Sequence, residues 1–328
     1  MAILAPQFAD ALRRVEPQAR DKKNAATAHS EVREALEGDP ELVEMGIDTI
    51  LIGSYARHVS IRRMRDVDVF SKLPSAPDDL KPRPLLKTFE RVLIDAFGKE
   101  RVEPQDRSIT VGFPDYDLGV DSVPARSKSD HWEIPDRTER GGGWEETNPE
   151  RLGTLATAKN DKHDSLYVPV VKLIRQTRRA NLGERPGGLY FEILTYHAFD
   201  RRGATGPSVA EYYCSALRGV VTELEVAVAQ GLDDPTLPSA KIKTRATRSE
   251  LTTALETFRK LSVSADAALA DDDRCRSAKA FQVIFGKNDD GDLVFPMPDD
   301  CEDDGTKRGP AVIIPGDRHV PAGDGRFA

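Results

Sequence analysis

The sequence predicts an α+β fold in which a mixed sheet with flanking helices is followed by a mostly helical lobe. Runs with the two-residue period of β-strands lie within 48–123, whereas apolar residues at helical spacing dominate 167–269. The 328 residues suffice for two modest domains or one large one. We therefore expect a sheet-bearing core at 1–150, a helical lobe at 151–286 and a loosely ordered tail at 287–328.

The sheet-bearing half begins with helix. Ala, Arg, Glu and Gln dominate 5–36, which predicts one long N-terminal helix or two abutting ones. Two β-prone runs at 48–52 and 66–70 predict strands that lie side by side, joined by a short helix over 54–61. Apolar residues at helical spacing then predict a helix over 85–97 that covers the sheet.

A hairpin and a change of composition come next. Residues 108–113 and 117–123 predict two strands joined by a turn at Pro114. From 126 to 149 the chain is charged and glycine-rich, which indicates a loop with short strands at the boundary of the core. Helical spacing in the second half predicts four helices, over 167–180, 190–199, 209–229 and 248–269.

The charge balance limits the classes of partner. Lys and Arg number 47 against 55 Asp and Glu, so the net charge is −8 and the pI is near 5.4. This sign disfavours a protein that coats nucleic acid or binds an anionic membrane surface. Any anionic ligand must therefore meet a local positive site.

The sequence also predicts location and thiol chemistry. No apolar run approaches the ~18–20 residues that span a bilayer, and the N-terminus lacks the basic segment of a secretory signal, so we expect a cytoplasmic protein. The cysteines Cys214, Cys275 and Cys301 never form a C-x-x-C spacing, which predicts free thiols rather than a disulfide framework or a zinc site. The six histidines likewise lack metal-ligand spacing.

Three aspartates carry the predicted chemistry. Asp66 and Asp68 are two residues apart in a strand, so both carboxylates can point to one spot. Asp121 lies in an apolar strand, and pairing of that strand with 66–70 would bring its carboxylate to the same face. Three carboxylates at one place suit two hard ions, Mg²⁺ or Mn²⁺, and hence phosphoryl transfer.

Each of these groups has an expected role. Asp66 and Asp68 would hold one ion against the β- and γ-phosphates of a nucleotide, and Asp121 would share the second and accept the proton of the attacking hydroxyl. Gly53 would let the phosphates approach the backbone, and the Ser54 hydroxyl would donate to them. A single D-x-D pair is usually a solvated strand edge, but a further acid inside an apolar strand favours the metal site, because unpaired buried acids are costly.

A basic helix face downstream can meet the phosphates. Lys172 and Arg175 are three residues apart in the helix predicted over 167–180, and Arg178 continues the row. From the second lobe this face could reach the β- and γ-phosphates. The alternative is a solvent-exposed basic face with no ligand, and the residues do not decide between the two.

These motifs resemble the polymerase-β-like nucleotidyltransferase superfamily, whose signature is Gly-Ser, then D-x-D, then a single Asp on the neighbouring strand. Residues 53–57, 66–68 and 120–125 match it in order. The closer likeness is to the branch that contains oligoadenylate synthases, cyclic GMP-AMP synthase and the bacterial CD-NTases. Further segments that look like this branch are 132–137, 144–149, 170–176, 188–195, 280–286 and 295–298.

Two residues depart from the family pattern. Arg175 stands where the family has a phosphate-binding Lys, and Lys172 lies one turn earlier, so either could meet the triphosphate. Gly188 stands where Ser is common. The Cys/His insertion of the double-stranded-DNA sensor is also missing from the sequence, which disfavours direct activation by long duplexes.

The resemblance implies a polymerase-β-like core and a C-terminal lobe of the oligoadenylate-synthase type. It also implies a synthase that joins ATP with ATP or a second NTP into a cyclic di- or trinucleotide, with pyrophosphate release, in bacterial anti-phage (CBASS-type) signalling. The alternatives are a template-independent enzyme that adds NMP to an RNA, protein or small molecule, and a catalytically idle scaffold. A separate implication is a ubiquitin-transfer-like partner that acts on the C-terminal Ala328, against the alternative of an inert tail.

Overall fold

The structure is a computed structural model, and it describes residues 4–136 and 142–309. Its helices are α1 (Ala5–Val15), α2 (Ala19–Glu37), α3 (Pro40–Glu44), α4 (Gly53–Ala56), α5 (Pro82–Phe97), α6 (Pro149–Lys162), α7 (Tyr167–Asn181), α8 (Gly188–Arg201), α9 (Val209–Gln230), α10 (Arg248–Ala270) and α11 (Arg274–Phe285). Its strands are β1 (Asp48–Ile52), β2 (Asp66–Leu73), β3 (Val102–Pro104), β4 (Ile109–Phe113), β5 (Leu118–Lys128), β6 (His131–Asp136) and β7 (Gly143–Thr147). None of the described helices is long and apolar enough to cross a membrane. A sheet followed by a mostly helical half confirms the predicted α+β class.

The sheet is mixed, as predicted. Its main path runs β1-β2-β5-β4-β3, and β6 extends it from β5 and pairs with β7. β2 and β5 are parallel, whereas β1 pairs with β2, and β4 with β5, in antiparallel fashion. The predicted neighbours 48–52 and 66–70 are therefore confirmed, and so is the hairpin of 108–113 with 117–123.

The segment 126–149, predicted as a loop with short strands, contains strands throughout most of its described residues, 126–136 and 142–149. β5 continues to Lys128, and β6 and β7 form an antiparallel pair. The Arg126 guanidinium lies 4.1 Å from the centre of the Trp144 ring and 2.7 Å from Glu133. Such contacts between strands outweigh the local preference of a charged, glycine-rich composition.

Local sequence sets two helix ends. The predicted helix over 5–36 divides into α1 and α2 around Pro17, and the backbone N–H of Gln18 donates a hydrogen bond to Asp21 Oδ2 at the start of α2. The helix predicted over 54–61 is only the single turn of α4. His58 ends it, because this residue adopts a left-handed φ of 59°. Helices α3, α6 and α11 have no counterpart among the predicted helices.

The buried apolar residues form two clusters. One packs α2 and α5 against the sheet, where Val67, Val69 and Val120 are fully buried. The other joins helices α7 to α11 with α1. In it, the centres of the Phe8 and Phe281 rings are 4.9 Å apart. The first helix of the chain therefore packs with the helical lobe.

Residues 287–309 are packed against the rest of the chain, so the prediction of a loosely ordered tail is wrong for this part. Phe295 is fully buried, and its ring centre lies 5.0 Å from that of Phe8. A large aromatic side chain that fills the core can anchor a segment whose Asp, Gly and Pro content predicts little order. Residues 310–328, including Ala328, lie outside the described residues.

One pair of cysteines also differs from the prediction. Cys275 and Cys301 form a disulfide, with 5.4 Å between their Cα atoms. They are 26 residues apart, and only the packing of the segment after α11 brings them together. A search for C-x-x-C spacing could therefore not predict this pair. Cys214 is free and buried, as predicted.

Candidate active site

The three predicted aspartates lie on one face of two neighbouring strands. The parallel register of β2 and β5 places Asp68 opposite Asp121, and Asp66 opposite Gly119. Because residues two apart in a strand share a face, all three carboxylates project to the same side of the sheet. Val67, between the first two, points the other way and is fully buried.

Gly53 joins β1 to α4 and allows the Asp68 carboxylate to lie against the backbone. Its φ is +73°, and an added Cβ would come within 1.8 Å of Asp68 Oδ2. Only glycine tolerates both the conformation and the contact. Ser54 follows and borders the same cleft, and its hydroxyl oxygen lies 3.0 Å from that of Ser60.

Asp68 and Asp121 are crowded by other carboxylates and partly shielded from water, whereas Asp66 is exposed. Burial, and then the charges of Asp66 and Asp121, raise the pKa of Asp68 to about 7, although two nearby arginines oppose the shift. Burial also raises the pKa of Asp121, against the hydrogen bond that the Thr110 hydroxyl donates to its Oδ1. The cluster thus concentrates more negative charge than its protein surroundings stabilise.

This set of donors fits divalent cations. Carboxylate oxygens are the ligands that Mg²⁺ and Mn²⁺ prefer, and a cation would offset the mutual repulsion. The oxygens of the three aspartates are not all within 4.8 Å of one another, since in 4–136 and 142–309 only Cys275, Asp300 and Cys301 bring three possible ligand atoms that close. The two cysteines of that group form the disulfide, so they offer no thiolate to a metal.

The aspartates border two cavities. The larger, of about 690 Å³, is bordered by Asp66 and Asp68 from the sheet and by residues of α7 and α8 from the helical lobe. The smaller, of about 390 Å³, is bordered by Asp66, Asp121 and Thr110. Asp66 borders both. The carboxylates can therefore be reached from two sides, as a reaction between two substrates requires.

Of the two phosphate ligands predicted on α7, Arg175 borders the larger cavity. Lys172 instead pairs with Glu16 at 2.6 Å and borders a separate cavity. Residues three apart differ by about 60° around a helix axis, which is enough to send the two side chains to different surroundings. Arg178 donates to backbone carbonyls of the loop after α7. The structure thus does not bring Lys172 to the aspartates.

Two charged residues that border the cleft, Arg57 and Glu192, were not predicted as site residues. Arg57 follows α4, and its Nε and Nη2 donate to the Glu192 carboxylate at 2.5 and 3.1 Å. The side chains are 6% and 1% exposed, so neither charge is solvated by bulk water. The available signal for Glu192 was a single acid in an apolar run, the same signal that marked Asp121. No such signal distinguished Arg57, because several other arginines lie between it and Asp66.

The chain is similar to known proteins in both sequence and fold. A model of the Second Messenger Oligonucleotide or Dinucleotide Synthetase domain matches residues 1–160. The chain is 25% identical over 295 residues to the cyclic AMP-AMP-AMP synthase of an Acinetobacter species, a match that covers 85% of this chain and 83% of that protein.

Solved structures share the fold. Escherichia coli MS115-1 CdnC with ATP has a TM-score of 0.68 at 19% identity, and the match covers 86% of this chain and 98% of that one. The Bradyrhizobium diazoefficiens CD-NTase CdnG in complex with GTP has a TM-score of 0.67 at 16% identity, with 85% and 96% covered. The likeness therefore extends over both the sheet and the helical lobe.

Proposed function

This chain belongs to the bacterial CD-NTase family of nucleotidyltransferases, as its motifs predicted, and we propose that it is a cyclic oligonucleotide synthase. It joins ATP with ATP or a second NTP into a cyclic di- or trinucleotide and releases pyrophosphate. The relative named cyclic AMP-AMP-AMP synthase supports ATP and a trinucleotide product, and the solved relative with ATP supports ATP as a ligand. We place the activity in the cytoplasm, in anti-phage (CBASS-type) signalling.

The observation that carries the proposal is the cluster of carboxylates that borders two cavities. Asp66, Asp68 and Asp121 project from paired strands to one face, and they are the residues that would hold two Mg²⁺ or Mn²⁺ ions. When bound, such ions neutralise phosphate charge and lower the pKa of an attacking hydroxyl. The raised pKa of Asp68 supports this role, because burial and neighbouring carboxylates create a negative charge that lacks full compensation.

Residues around the cluster orient the substrates. Arg175 reaches the larger cavity from α7 and donates to the β- and γ-phosphates of the donor nucleotide. Gly53 leaves the backbone open to the phosphates, and the Ser54 hydroxyl donates to one of them. Asp121 borders the smaller cavity and accepts the proton of the attacking hydroxyl. Departure and attack are thus assigned to two different cavities that share Asp66.

Product analysis tests the proposal. The purified full chain is incubated with all four NTPs and Mg²⁺ or Mn²⁺, treated with phosphatase, and its products are identified by mass spectrometry. We expect a phosphatase-resistant cyclic product that is lost in the double variant Asp66→Asn, Asp68→Asn. The control is Asp78→Asn, Asp79→Asn, which removes two exposed carboxylates from the same half of the chain.

Other outcomes identify the alternatives. An extended acceptor without a cyclic product would indicate the template-independent nucleotidyltransferase. Identical behaviour of the wild type and the double variant, with no product and no nucleotide binding in either, would indicate the idle scaffold.

A pair of variants on α7 tests the assignment of Arg175. Arg175→Met is expected to raise the Kd for ATP by about ten- to hundredfold, because a charge-assisted hydrogen bond to phosphate is lost. Lys172→Met removes a similar charge three residues away and should change the Kd by no more than about twofold. Titration with a non-hydrolysable ATP analogue gives both values, and AMP serves as a ligand without β- and γ-phosphates. A larger effect from Lys172→Met would contradict the assignment.

A further inference from the structure

A buried carboxylate, Glu192, lies between two guanidinium groups at the cleft. Arg57 binds it through two hydrogen bonds, and Arg175 Nη1 lies 3.3 Å from its Oε2. The three side chains come from different elements: the residue after α4, helix α7 and helix α8. Because Glu192 is only 1% exposed, bulk water cannot replace either guanidinium as its partner.

Both arginines border the same cavity as Asp66 and Asp68. Burial raises the pKa of Asp68, and the charges of Arg57 and Arg175 oppose that shift. Burial lowers the pKa of Arg175, and the charges of Glu192 and Asp66 oppose it. Each guanidinium therefore lies within electrostatic reach of two alternative partners, the glutamate and the aspartates.

The position of the Arg175 guanidinium depends on its contact with Glu192. An added Cβ at Gly188 would lie 2.9 Å from Arg175 Nη2, so the guanidinium occupies space that a larger residue at 188 would fill. Its Nε is buried and has no hydrogen-bond partner among the residues that the structure describes. The contact with Glu192 thus fixes the direction in which this guanidinium points.

We propose that Glu192 is a positioning residue that holds the two guanidinium groups away from Asp66 and Asp68. A buried cation that loses its partner pairs with another anion within reach, and the aspartates border the same cavity. With Glu192 in place, the aspartates stay available to divalent cations, and the guanidinium groups stay available to phosphate. The inference rests on the proposed function, since it requires the aspartates to bind metal.

The helical lobe contains a matched control. Glu223 on α9 is also 1% exposed, and it is shared by Arg202 at 2.8 Å and Arg201 at 3.7 Å. It is not among the described residues that border the two cavities at the aspartates. Glu223→Gln therefore removes the charge of an equally buried carboxylate, whose two arginines are more exposed, without changing the charge beside the aspartates. Both sites have a buried glutamate between two arginines. Only the substitution of the glutamate at the cleft should affect metal binding.

Binding of Mn²⁺ to the nucleotide-free full chain tests the proposal without relying on activity. The Kd is obtained from the electron paramagnetic resonance signal of free Mn²⁺. Glu192→Gln is expected to raise the Kd about tenfold, the size of effect typical of groups that support metal ligands. Glu223→Gln should leave it within about twofold. Circular dichroism and thermal denaturation verify that each variant is folded.

A double variant separates positioning from a merely structural role. Arg57→Gln together with Glu192→Gln removes one of the two released cations, so the Kd should fall from about tenfold to about threefold above that of the wild type, the remainder being due to Arg175. If Glu192→Gln alone does not fold, Arg57→Gln alone is measured instead, and it should bind Mn²⁺ more tightly than the wild type.

Other results would contradict either the inference or the proposed metal site. Unchanged Mn²⁺ binding in Glu192→Gln overturns the inference and leaves the proposed function intact. Equal weakening in Glu192→Gln and in the double variant also overturns it, because removal of Arg57 then restores nothing. Absence of Mn²⁺ binding by the wild type itself overturns the proposed metal site, and the inference with it.

Discussion

Asp121→Asn is expected to lower the rate of nucleotide joining on the order of a thousandfold, because it removes the proton acceptor and a metal ligand at once. Asp121 borders the smaller cavity, whereas Asp68 borders the larger one together with Arg175. Binding of the donor nucleotide should therefore survive, with the Kd for ATP within about threefold of the wild type. Single-turnover release of pyrophosphate gives the rate, and titration with a non-hydrolysable ATP analogue gives the Kd.

The matched control for this variant is Asp115→Asn. Asp115 lies in the turn that leads into β5, six residues before Asp121, and it is exposed. Its loss should leave both rate and affinity unchanged. Weakening of ATP binding by Asp121→Asn that equals the loss of rate would place Asp121 at the donor phosphates, and would contradict its assignment to the side of attack.

The carboxylate cluster was predictable because its geometry is set by short-range rules. A two-residue spacing in a strand puts Asp66 and Asp68 on one face, whatever the rest of the fold does. Asp121 stands out as an acid inside an apolar strand. Only the adjacency of the two strands had to be assumed, and the parallel register of β2 and β5 provides it.

The cationic side of the cleft was much less predictable. Helical spacing placed Lys172 and Arg175 in one row, but the choice between them depends on what packs around α7. Lys172 pairs with Glu16, and Arg175 pairs with Glu192. Arg57 and Glu192 are 135 residues apart, and no local pattern links residues at such a distance.

The remaining errors in the fold have the same cause. Sequence composition predicted little order after 286, yet Phe295 fills a place among aromatic rings that come from α1 and α11. The Cys275–Cys301 disulfide depends on that packing as well. Composition describes a segment by itself, whereas burial depends on a surface that other parts of the chain supply.

Gly53→Ala is expected to lower product formation by about a hundredfold or more, since displacement of a reacting group by about 1 Å has effects of this size. Two penalties act at this residue. Its φ of +73° disfavours any side chain, and an added Cβ would come within 1.8 Å of Asp68 Oδ2. The carboxylate must therefore move, and it cannot keep its place beside Asp66 and Asp121.

Gly203→Ala separates these penalties. Gly203 has a φ of +65°, but an added Cβ would meet nothing within 4 Å. This control should lose only about 1 kcal/mol of unfolding free energy from backbone strain, with full activity. Gly53→Ala should lose about 3 kcal/mol, since the collision adds to the strain. Urea denaturation and product formation measure both variants. Equal destabilisation of the two, with activity retained in Gly53→Ala, would mean that the Asp68 carboxylate can move aside at little cost, and that its contact with the backbone of Gly53 is not what holds it in the cluster.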